Sequence, residues 1–213
     1  MDILDDDMLQ YQRFSTKDEM LNSLRAYLEE PDDDTIRIKD KIKTLFSNSP
    51  KLLWALNNAD LESQLFNEDG TINEDGEWDA YFGDTSNIRP FLFLPETQDI
   101  VCNYICYQVT VDENMRYNSS MKYMVITFTI LVHEKNSFDE EVGMARHDLI
   151  ASIIRELMAW SGITTASAVP IYEGESVTDN NYITKVLRYQ AKLPNNLVVT
   201  DNVGTRFVNK TKR

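Results

Sequence analysis

Glycine, histidine and cysteine are scarce in this 213-residue chain, with seven, two and two of them. So few glycines disfavour phosphate cradles built from loop backbone, and neither GxxxxGK[ST] nor GxGxxG occurs. GxSxG and HExxH are missing too, which removes the common serine-hydrolase and zinc-protease signatures. His133 and His147 stand alone, with no second histidine at metal-ligand spacing. Cys102 and Cys106, at i and i+4 of an expected strand, would lie about 13 Å apart. That is too far to bridge, so they read as small buried thiols in a reducing compartment. No run approaches the roughly 20 apolar residues of a membrane span, and the acidic N-terminus lacks the apolar core of a signal peptide. Positive charge is short as well. A net charge of −14 works against general affinity for nucleic acid or an anionic membrane. The expectation is a soluble protein of a cytoplasm, or of a particle assembled there, with no catalytic, cofactor-binding or metal-binding residue assigned.

What is present is a strand followed by a helix. Met124, Ile126, Phe128, Ile130 and Val132 alternate with mixed residues from Tyr123 to Glu134, the period of a strand with one face on a core. Val142, Ala145, Leu149, Ile150, Ile153, Ile154, Leu157 and Trp160 then recur at three and four, which lines one side of a helix. Gly162 suits its left-handed cap. Around this pair, strands are expected at Phe91–Leu94 between two prolines, at Ile100–Val111, at Ala168–Tyr172 and at Tyr182–Leu193, whose apolar face is broken only by Lys185. The predicted fold class is α+β: a mostly antiparallel sheet with one long helix packed on a face, plus an N-terminal helical extension.

The predicted organisation has four parts. Residues 1–60 form the helical extension, with a capping box at Thr16-x-x-Glu19, a helix from Thr35, and a third opened by Ser49 as N-cap and Pro50. Residues 61–87 form an acidic loop excursion containing Asn67-Glu-Asp-Gly70 and Asn73-Glu-Asp-Gly76. In neither calcium-loop register do carboxylates fall at the first and twelfth positions, so two tight turns are expected, with Trp78 and Tyr81 anchoring the excursion and contributing to a contact surface. Residues 88–195 form the α+β core and residues 196–213 a basic tail.

Chemistry is hard to assemble from these parts. The strongest enzyme reading is a metal-dependent nuclease with Asp112 and Glu134 at the ends of adjacent strands and Lys135 nearby. Adjacent Glu134 and Lys135 point to opposite strand faces, and an acidic protein repels DNA, so the reading is not adopted. The patch Arg146-His147-Asp148 reads either as a solvated helix shoulder or, in a ring, as an interface. Glu140, Glu141 and Glu156 would pair there with Lys185 or Arg188 of a neighbouring copy. On that reading, charge reversal at Arg146 weakens assembly and leaves the monomer folded.

The words Ile88-Arg-Pro-Phe-Leu-Phe-Leu-Pro95, Leu131-Val-His-Glu134, Ala145-Arg-His-Asp-Leu-Ile-Ala151 and Asn181-Tyr-Ile-Thr-Lys-Val-Leu-Arg-Tyr-Gln190, in this order of elements, resemble the tail terminator family of tailed-bacteriophage neck proteins. The resemblance covers residues 88–195. It implies a small α+β subunit of a hexameric ring in the virion neck, assembled in the host cytoplasm, which caps the tail tube and joins it to the connector. The implied partners are further copies of the chain and the adjacent neck, connector and tail-tube proteins. DNA would pass an acidic lumen without specific binding, and no membrane is involved. The helical front end and acidic loop depart from compact members of that family, which leaves open another neck position, adaptor or stopper, or a non-catalytic acidic binding module.

Overall fold

A computed structural model describes residues 16–22, 34–73, 76, 78–83, 86–92, 101–114, 121–160, 162–163, 168–178, 181–194, 199–201 and 204–206. It divides the chain into two units, Met1–Arg37 and Ile38–Arg213. In the first, residues 17–22 are helical, and the Glu19 N–H donates to Thr16 Oγ1 at 3.2 Å, one arm of the expected capping box. The rest of that helix, the N-terminal arm and the end of the basic tail lie outside the described residues.

In chain order the elements are α1 (Asp34–Ser47), α2 (Pro50–Ala55), α3 (Ala59–Glu62), β1 (Ile88–Arg89), β2 (Tyr104–Asn114), β3 (Met121–His133), β4 (Phe138–Asp139), β5 (Met144–Ala145), α4 (Arg146–Trp160), β6 (Val169–Val177), β7 (Tyr182–Pro194), β8 (Val199–Asp201) and β9 (Gly204–Arg206). The five-stranded sheet runs β1-β2-β3-β7-β6. Among the described strands of this sheet only β1 and β2 pair in parallel. The α+β class with one long helix on the sheet is what the sequence pattern led to. Every apolar even position of β3 from Met124 to Val132 is buried, as the period of two requires, and α4 lays Ile150, Ile153, Ile154 and Met158 on that face.

The second unit differs from expectation in four places. Ile42, Phe46, Leu52, Leu53 and Leu56 share one core with Phe128 and Ile154, so the segment 38–60 is part of the α+β body rather than an extension. Phe46 touches both Tyr107 and Phe128, ring centroids 6.2 and 5.6 Å away, and each such buried ring contributes about 1.5–3 kcal/mol. The first sheet strand is Ile88–Arg89, while Phe91 and Leu92 are exposed beyond Pro90, which has no N–H for a ladder. Ser49 precedes α2 but its hydroxyl makes no cap bond; its backbone carbonyl takes the Leu52 and Leu53 N–H groups instead. The fourth difference is the start of the long helix, at Arg146 and not at Val142. Residues 138–145 form the β4–β5 hairpin, turned at Gly143 with φ +78°, and the Asp139 side chain takes the Val142 N–H at 2.9 Å. A helix-period pattern does not register such a turn, because Val142 and Ala145 happen to continue the spacing.

Smaller expectations are met. The Asn67 N–H donates to Thr71 O at 2.8 Å around Gly70 (φ +82°), a tight turn. Gly162 ends α4 in the left-handed region at φ +52°. Cys106 is buried on β2 as expected, whereas Cys102 is half-buried and precedes that strand; no disulfide joins them.

Candidate functional site

Two clusters of charge flank the start of α4, and they come from consecutive residues. The first is internal. Arg146 donates from Nε to Asn136 O and from Nη1 to Ala55 O, each at 3.0 Å, and its Nη2 lies 2.9 Å from Asp139 Oδ2. The two side chains are 7% and 3% exposed. The guanidinium thus closes four elements onto one another: the end of α2, the turn after β3, the β4–β5 hairpin and α4. This overturns the shoulder and interface readings of Arg146, whose counter-charge is its own Asp139.

The second cluster is at the sheet edge. β7 carries Lys185 on the face that α4 covers, and Leu187, Tyr189, Ala191 and Leu193 continue that face. Its neighbour β6 places Glu175 opposite Lys185 and Glu173 opposite Leu187, so both carboxylates rise toward the helix. The Lys185 ammonium donates to Asp148 Oδ1 and lies 3.0 Å from Glu173 Oε1. Arg155, two turns along α4, donates to both oxygens of Glu173 at 2.9 and 2.8 Å and to Ser152 Oγ at 3.0 Å. These bonds hold the Asp148 and Glu173 carboxyls below their ordinary values, the Lys185 hydrogen bond being the main cause for each. Burial pulls Lys185 down, but its bonds to Asp148 and Glu173 outweigh it and leave the ammonium above its ordinary value. His147 completes the group, its Nε2 at 3.4 Å from Glu175 Oε2 and 3.7 Å from Asp148 Oδ2.

The other candidate residues are spread out. Glu140 and Glu141 are exposed in the β4–β5 turn. Glu141 borders an apolar groove of about 700 Å³ between Trp54, Phe66, Ile72 and Leu157. Glu156 pairs with Lys51 at 2.6 Å. Arg188 lies on the opposite sheet face from Lys185, its guanidinium 5.1 Å from the Tyr172 ring centre. Trp78 is half-buried and Tyr81 fully so; they fasten the loop as expected, and burial pushes the Tyr81 hydroxyl up to about 12. The nuclease pair does not form. Glu134 follows the end of β3 that meets Tyr104, whereas Asp112 sits past the Val111–Met124 pair, roughly 30 Å along the sheet at the usual strand rise.

The YomW family model matches residues 42–191. The chain belongs to the YomW family. It is therefore phage-associated. A search of curated proteins finds no match.

Both charge clusters of this YomW-family chain lie inside the matched stretch. The sequence pattern singled out Arg146, His147, Asp148 and Lys185 but assigned Lys185 to acidic residues of a neighbouring copy, not to its own Asp148, and it missed Asp139, Arg155, Glu173 and Glu175. One signal was available: Glu173-Gly174-Glu175 puts two carboxylates on one strand face, next in order to a strand whose single cation interrupts an apolar face. Asp139 had none, since only the unforeseen hairpin carries it inward.

Proposed function

We propose that this phage-associated chain is a structural virion protein, one subunit of a hexameric ring at the head–tail interface that terminates the tail tube and joins it to the connector. What carries the reading is the free edge of β6. Among the described residues β6 pairs only with β7, yet Val169, Ile171, Tyr172 and Val177 on it are 56, 49, 51 and 75% exposed. A long edge strand with exposed apolar side chains is a template for another chain, and a head-to-tail ring needs such a patch on every subunit to meet a different patch on the next. The neighbours are other copies, with neck, connector and tail-tube proteins above and below. The surplus of acid serves DNA passage by repelling phosphate in the lumen.

The test is particle composition together with an edge variant. Purified virions contain the chain in ring stoichiometry, and Ile171→Lys with Val177→Lys leaves the monomer's circular dichroism unchanged while particles accumulate unjoined heads and tails. Absence of the chain from purified particles, or normal joining by the edge variant, overturns the reading.

A further inference from the structure

His147 is the group in the edge cluster that ordinary pairing leaves unexplained. Its side chain is 8% exposed. Nδ1 is buried without a partner, and Nε2 faces two carboxylate oxygens at 3.4 and 3.7 Å. Those separations exceed the roughly 2.7–3.2 Å of an N–H···O hydrogen bond. The shorter matches ligands that share an ion, since bonds of about 2.0–2.1 Å in a tetrahedron put neighbouring ligand atoms roughly 3.3–3.4 Å apart, and the longer, to Asp148, exceeds that spacing by a few tenths of an ångström. The Nε2, Asp148 and Glu175 ligand atoms all lie within 4.8 Å of one another.

We propose that His147, Asp148 and Glu175 bind a divalent first-row transition ion, with Zn²⁺ as the representative. One imidazole and two carboxylates are a donor set that such ions accept, with a fourth position left for water. The surroundings supply an outer-shell partner for Asp148, though none among the described residues for His147 Nδ1. Lys185 engages Asp148 through Oδ1, so Oδ2 is left facing His147, the outer-shell arrangement that orients a ligating carboxylate. Three carboxylates, Asp148, Glu173 and Glu175, stand against two cations, Lys185 and Arg155, so with a neutral imidazole the cluster carries one uncompensated negative charge. Glu175, half exposed on the outer strand, gives the ion a path from solvent. The proposal does not depend on the ring.

Calorimetric titration of the full-length protein with Zn²⁺, paired with the visible spectrum after Co²⁺ addition, tests it. One equivalent binds, and Co²⁺ gives the intense bands of a four-coordinate site. Glu175→Gln, an exposed substitution that should spare the fold, weakens Zn²⁺ binding roughly ten-fold or more and removes the bands. His147→Asn does the same, with circular dichroism confirming that it folds. Glu156→Gln, outside the cluster, binds as wild type. No binding by wild type, or equal binding by Glu175→Gln, overturns the proposal.

Discussion

Arg146 and Lys185 are both buried cations with carboxylate partners, but they differ in what surrounds the partner. Asp139, the partner of Arg146, is itself 3% exposed, whereas Asp148 and Glu173, the partners of Lys185, are 45% and 42% exposed. Removing one member of a fully buried pair strands a charge that water cannot reach, at a cost of about 3–5 kcal/mol. Arg146→Met should therefore cause the largest loss of stability, also leaving Asn136 O and Ala55 O without their donor. Urea unfolding of the monomer measures it; a loss under about 1 kcal/mol would mean that Asp139 reaches solvent and that the contrast between the clusters is false.

Lys185→Met belongs lower on the scale, because both freed carboxylates can rehydrate. A charge-assisted hydrogen bond is worth about 1.5–3 kcal/mol when its partner stays dry, and solvent screening cuts this to about 1 kcal/mol here. The variant also has a pH signature. Asp148 and Glu173 are held below their ordinary values of 3.8 and 4.5, so the stability they contribute is present above about pH 4.5 and is lost as pH falls through their lower folded values. Lys185 is held above 10.5, so its share is present below that pH and lost as pH rises further. Wild type should therefore lose stability more steeply than Lys185→Met on both flanks. Parallel pH profiles would show that the lysine contributes packing and not charge.

How far these clusters were legible depends on the range of the forces that build them. The sheet and its long helix were readable because burial repeats along the chain: Met124 to Val132 at two, Ile150 to Met158 at three and four. Lys185 was visible as a single cation on an apolar strand face. Its partners were not, because the packing of α4 on the sheet decides Asp148 and strand order decides Glu173, and β6 lies beside β7 through a register that only pairing fixes. Arg146 was misread for a related reason. Helical spacing ran back through Val142, concealing the Gly143 turn that folds Asp139 under the guanidinium. The neutral loop anchors fared better, since Trp78 and Tyr81 are large apolar side chains in an otherwise polar stretch and burial is their ordinary fate.

The smallest effect belongs to Lys51 and Glu156, which make the shortest surface contact of the set, 2.6 Å, with side chains 51% and 56% exposed. If distance decided energy, this pair would rank beside Arg146 and Asp139. Exposure decides it instead: both groups are hydrated when apart, and ordering two long side chains offsets most of the attraction, leaving about 0.2–1 kcal/mol. Glu156→Gln should shift unfolding by no more than about 0.5 kcal/mol, and the shift should vanish in 1 M salt, where the screening length falls to about 3 Å. The effect of Arg146→Met should survive the same salt, because the ions cannot enter the space between Arg146 and Asp139. Equal salt sensitivity in the two variants would mean that the interior pair is wet, and the ordering by burial would fail at its upper end.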